Sequence, residues 1–120
     1  MHVQTNTDHN IEHHESLNRH VESVVKDALS HFAEQITRVE VHLTAELGKK
    51  PGESDMRCMM EARLTGHQPV AVNDHAATVH QAIQGASEKL KRAIERALGR
   101  RSDKPNGKKL LSEEQTDVSE

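Results

Sequence analysis

At 120 residues the chain suits one domain of ordinary size. Apolar residues make up 33% of it and Phe32 is its one aromatic, so the core must be small and built from Val, Ile, Leu, Ala and Met. The single cysteine, Cys58, excludes an intrachain disulfide, no run nears the roughly 20 apolar residues of a membrane helix, and no charged start followed by an apolar segment marks a secretory signal; the cytoplasm is the expected compartment, with no membrane partner.

The net charge of −3 hides an uneven distribution. Between Lys89 and Lys109 stand nine basic residues (Lys89, Lys91, Arg92, Arg96, Arg100, Arg101, Lys104, Lys108 and Lys109). Only Glu95 and Asp103 oppose them, a local charge of +7 that leaves −10 for the rest. A protein that coats nucleic acid uniformly would not segregate its charge in this way. One cationic pole on an acidic body suits steering toward a polyanion, while the acidic faces discourage indiscriminate adhesion.

In chain order, residues 1–7 alternate Val3 and Thr5 with His2, Gln4 and Asn6, the pattern of a short strand, and residues 8–10 read as a turn. Residues 11–33 carry Leu17, Val21, Val24, Val25, Ala28 and Phe32 as an apolar stripe at helical spacing, with Glu12 and Glu15 where the helix dipole favours negative charge. Residues 36–47 alternate, with Val39, Val41, Leu43, Ala45 and Leu47 on one face and Glu40, His42, Thr44 and Glu46 on the other. After a polar turn at 48–53, residues 55–64 alternate again, with Met56, Cys58, Met60, Ala62 and Leu64 inward, so the two segments form an antiparallel hairpin. A turn at 66–68 leads to a short strand at 69–72, with Pro69 at its first position. Residues 73–77 read as a loop or a first helical turn.

Thr78 followed by Gln81 fits a capping box and opens a long helix over 78–101. Its apolar row is Val79, Ile83, Ala86, Leu90, Ile94 and Ala97; its basic row, Lys89, Arg92, Arg96 and Arg100, lies about a third of a turn away. The order β-α-β-β-β-α gives an α+β two-layer sandwich, with both helices on one face of a four-stranded sheet. The folded domain is expected over 1–99. Residues 100–120, rich in charge and turn formers, are expected to be a disordered tail.

Ten histidines (His2, His9, His13, His14, His20, His31, His42, His67, His75 and His80) raise the question of a metal. The densest set, His9, His13 and His14, lacks ligand spacing, and adjacent helical residues point about 100° apart, so surface histidines are the simpler reading. Cys58, Met56 and Met60 fall on the inner strand face and read as core. No nucleophile triad, glycine-rich phosphate loop or paired carboxylates appear, so neither catalysis nor a cofactor is expected. The basic row remains. Its bland reading is a solvated helix face, but it is nearly free of acidic partners and continues into Arg101, Lys104, Lys108 and Lys109. With no aromatics to stack on unpaired bases, the mode left is backbone and shape recognition of structured nucleic acid.

The chain here resembles the ribosome hibernation-promoting factors, also called ribosome-associated inhibitor or sigma 54 modulation proteins, in their short form. The resemblance covers residues 1 to about 96. Asn10-Ile11-Glu12, Glu15-Ser16-Leu17 and Val21 look like the family's loop and the opening of its first helix; Arg38-Val39-Glu40-Val41-His42-Leu43 looks like its second strand. Residues 74–83, DHAATVHQAI, align without gaps with a family segment of an acidic loop followed by Leu/Met-Tyr-x-Ala-Ile-Asp. Lys89-Leu90-Lys91-Arg92-Ala93-Ile94 is similar to its Lys-Leu-x-Arg-Gln-Leu. His80 stands where the family usually has Tyr, Gln84 where it has Asp, and His14 where it has a Thr cap.

The resemblance implies a fold like that of double-stranded-RNA-binding domains. It also implies a non-enzymatic monomer that binds the small ribosomal subunit through ribosomal RNA, in the channel used by mRNA and tRNA, and so blocks translation. The expected RNA contacts are Lys89, Lys91, Arg92, Arg96, Arg100 and Arg101 on the last helix, with Arg19 and Lys26 on an otherwise acidic first helix. That acidic helix supports an alternative, a diverged protein-interaction or regulatory module of the same fold that no longer binds ribosomes. A histidine-metal sensor is a third reading.

Overall fold

Alternating apolar residues build the sheet that positions everything else. The computed structural model describes residues 1–8, 11, 14–47 and 54–103; the side chains of 47, 54 and 100–103 lie outside the description. Its elements are β1 (His2–Thr7), α1 (Glu15–Ala28), a 3-10 turn (Ser30–Phe32), β2 (Ile36–Leu47), β3 (Ser54–Leu64), β4 (Val70–Ala76) and α2 (Val79–Asp103). The four strands lie in sequence order, β1 parallel to β2 and the other neighbours antiparallel. The register sets Val39 opposite Ala62, Val41 opposite Met60 and Leu43 opposite Cys58, all buried. This is the expected α+β two-layer arrangement of four strands and two helices.

The helices close that inner face. Val21, Val25 and Leu29 from α1 and Ala82, Ile83, Ala86, Leu90 and Ile94 from α2 join the strand residues in one buried cluster. Burying a Leu or Ile side chain contributes about 1.5–3 kcal/mol, so these positions carry most of the fold. α2 lies over β3 and β4, and α1 lies beside it over β1. No helix among the described residues is long and apolar enough to cross a membrane.

Four boundaries differ from the sequence expectation. α1 begins at Glu15 rather than at residue 11, because His14 is extended (φ −112°, ψ 155°). It ends at Ala28, where Leu29 leaves helical geometry (φ −106°, ψ 17°) and the chain tightens into the 3-10 turn. β4 runs on through Ala76, so residues 73–76, part of the 73–77 stretch expected as a loop or a first helical turn and containing turn-forming Asn73 and Asp74, are paired strand. Sheet pairing with β3 overrides that local preference. α2 runs past Gly99 to Asp103, so residues 100–103 continue the helix, while the expectation of disorder for 104–120 concerns residues outside the description. The turn expected at 48–53 is outside it too. The helix start stands as expected: the Thr78 hydroxyl accepts from Gln81 N–H at 3.1 Å.

Candidate nucleic-acid interface

Arg92 and Arg96 lie four residues apart on the exposed face of α2. At 3.6 residues per turn Arg92 stands about 160° round the helix from buried Leu90, pointing away from the core. Lys91, also exposed, lies on the flank. Among the described residues none of these three forms an ion pair. Lys89 is different. Its ammonium is 3.0 Å from Asp74 Oδ1 and donates to the Asn73 carbonyl at 3.1 Å, so it leans onto β4. Arg100 and Arg101 belong to the last turns of α2, their side chains being outside the description.

Two acidic or amide neighbours escaped the sequence reading. Glu88 flanks the row four residues before Arg92, and its carboxylate accepts from Gln84 Nε2 at 3.1 Å. Asp74, taken for loop, sits on the helix-facing side of β4 with Val72 and Ala76. The alternation of half-buried and exposed positions over residues 70–76 is visible in the structure, but the sequence VAVNDHA does not mark Asp74 as facing the helix.

On α1 each candidate cation has a carboxylate one turn earlier: Arg19 is 3.5 Å from Glu15, and Lys26 is 2.7 Å from Glu22. The Lys26 hydrogen bond and charge hold the Glu22 carboxyl below its ordinary range. The Arg19 pair is 69% and 84% exposed, the Lys26 pair 49% and 48%, so neither cation is locked and each pair adds little to stability. Their field is nonetheless neutralised locally. No ion pair or hydrogen bond among the described residues joins them to the cations of α2. The sheet's outer face is similarly balanced. Arg38 pairs with Glu40 at 2.9 Å and donates to Gln4, Arg57 lies 3.4 Å from Glu46, and His75 lies 2.7 Å from Asp55. Among the described residues, the run of exposed cations without an ion pair therefore lies on α2.

The seam between the two helices holds a cleft of about 430 Å³ lined by Ile11, His14, Ser16, Leu17, Met56, Val79 and His80. Beside it the rings of His20 and His80 meet edge to face, centroids 4.4 Å apart. Burial, and then the neighbouring His80, lower the pKa of His20 from 6.5. A histidine whose folded pKa is depressed keeps its full stability contribution above the unfolded value and loses it as pH falls below that value. The urea midpoint is therefore expected to drop between pH 7 and pH 5.5, and His20→Gln to flatten that drop; an equal drop in the variant would refute the assignment. Burial, and then the charge of Asp74, push the Cys58 thiol up to about 12, which makes it a poor nucleophile. Among the described residues no three His, Cys, Asp or Glu side chains converge as a metal site.

The fold has known counterparts. The N-terminal domain of Thermus thermophilus Protein Y superposes with a TM-score of 0.61 at 18% identity, over 80% of this chain and 98% of that one. A ribosomal subunit interface protein from Coxiella burnetii gives a TM-score of 0.61 at 11% identity, over 85% and 99%. At these identities the likeness is one of fold. No curated protein matches the chain in sequence. The sequence profile of one family does, over residues 5–102, and those residues span β1 from Thr5 through nearly all of α2. The chain belongs to the sigma 54 modulation protein / S30EA ribosomal protein family.

Proposed function

We propose that the protein is a ribosome-associated translation inhibitor, a hibernation factor that binds the small ribosomal subunit through ribosomal RNA in the channel for mRNA and tRNA. It acts in the cytoplasm, as a monomer and without chemistry: occupancy of the channel is the inhibition. The observation that carries this reading is the cationic face of α2, with Lys91, Arg92 and Arg96 exposed and without an ion pair among the described residues, in a member of this family. Guanidinium groups held one helical turn apart suit bidentate contact with successive phosphates. The lack of exposed aromatics favours backbone and shape recognition over base reading.

Binding of this kind releases counterions. With ~4–6 phosphate contacts, affinity for small subunits is expected to fall on the order of 10²–10³-fold between 50 and 200 mM salt. Sucrose-gradient sedimentation at the two salt concentrations measures it, and absence from every ribosomal fraction at 50 mM would reject the proposal. One observation favours a second reading. Each α1 cation is paired with a carboxylate of its own helix, Arg19 with Glu15 and Lys26 with Glu22, and the exposed Asp27 leaves that helix net negative. A protein-interaction module that has left the ribosome would show that failure together with capture of a protein partner.

A further inference from the structure

We infer that Lys89, although it stands in the cationic row, is a positioning residue: with Asp74 and Gly85 it latches α2 onto β4 and so aims Arg92 and Arg96. The part of this inference that concerns aim rests on the ribosome-binding reading; the latch itself does not.

The latch follows from three contacts. Asp74 projects from β4 toward the helix, its side chain 24% exposed. Gly85 lies where α2 passes over it. A Cβ at position 85 would come within 1.8 Å of Asp74 Oδ2 and 2.9 Å of its Cγ, so the carboxylate occupies space that any other residue would fill. The backbone there is ordinary helix, where a Gly is less favourable than Ala. Close approach, not a special φ, accounts for the glycine. One turn on, Lys89 reaches back to the other carboxylate oxygen at 3.0 Å and to the Asn73 carbonyl at 3.1 Å on the sheet's edge strand. Turning Lys89 toward a phosphate would leave a half-buried carboxylate without its counter-charge, a cost that Arg92 and Arg96 do not incur.

Thermal midpoints and small-subunit binding across a salt series, measured on the full chain, separate the roles. Lys89→Met is expected to lower the midpoint by about 2–6 °C. It should weaken binding by roughly three- to tenfold at a temperature where the variant is folded. Its salt slope should stay that of the parent, and Lys89→Arg should restore the affinity. Arg92→Met should instead leave the midpoint in place and reduce the salt slope by about one. Gly85→Ala should lower the midpoint of the parent but raise it by about 4–8 °C in an Asp74→Ala background, where the helix gains Ala without a clash. Gly85→Ala that raises the midpoint in both backgrounds overturns the latch. Unchanged affinity in Lys89→Met, or a slope smaller by one, overturns the positioning role. If the parent itself binds no ribosomal fraction, the ribosome reading and the aiming role fall together, and the Gly85 and Asp74 midpoints still decide the latch.

Discussion

Reversing both Arg92 and Arg96 to Glu is expected to weaken binding to small subunits at 100 mM salt by on the order of 10²-fold or more. Each cation removed forfeits the release of about one condensed counterion, and each carboxylate introduced adds repulsion. The fold should tolerate the change. Both side chains are exposed, neither makes an ion pair among the described residues, and Glu is as good a helix former as Arg. New like-charge neighbours one turn apart, including Glu88, should cost only about 0.2–0.5 kcal/mol per pair. The double reversal is cleaner than one that includes Lys89, because Lys89 also holds Asp74. Sedimentation and filter binding measure the affinity, and far-UV circular dichroism monitors the helix. A dissociation constant within threefold of the parent would remove α2 from the interface.

The largest stability loss is expected at Leu90, one residue from the latch. Its side chain is fully buried within the single core cluster. Leu90→Ala should cost about 2–5 kcal/mol, against a total of about 5–15 kcal/mol for a domain. A core built almost without aromatics has few large side chains able to shift into the space. Urea unfolding gives the number, and a loss under about 1 kcal/mol would mean that the site collapses around the smaller side chain. Much weaker binding in this variant would follow from lost helix packing, which distinguishes it from the double reversal, where binding is lost and the fold kept.

Much of this architecture was legible because its elements obey one period at a time. β2 from Val39 onward and β3 alternate, so the buried set Val39, Val41, Leu43, Cys58, Met60 and Ala62 could be read by parity, whereas the register shift between Ile36 and Arg38 could not. The apolar row of α2 and its Thr78 cap were equally direct. β4 was half legible, because Asn73 and Asp74 prefer turns and only pairing with β3 holds them extended. The ends of α1 were overdrawn, since nothing in the apolar stripe marks the extended His14 or the turn at Leu29. At the site, exposure of the basic row followed from periodicity. The different status of Lys89 did not, because its partner lies 15 residues away and was assigned to a loop. Likewise the helical pattern does not single out Gly85, because the carboxylate beside it comes from a strand 11 residues earlier in the chain.

The pairing of β1 has a consequence for the order of assembly. β2, β3, β4 and α2 are joined by short connections and pair in sequence order, so their contacts close through small loops. β1 reaches its parallel partner β2 only after the whole of α1 has intervened, setting Val3 beside Val39 across 36 positions of chain. Closing that larger loop costs more chain entropy and delays the contact. As an edge strand with one neighbour, β1 is also the natural first element to open in native-state hydrogen exchange. The hairpin, β4 and the cationic helix thus form a contiguous folding unit, and β1 with α1 is the part that docks late and leaves early.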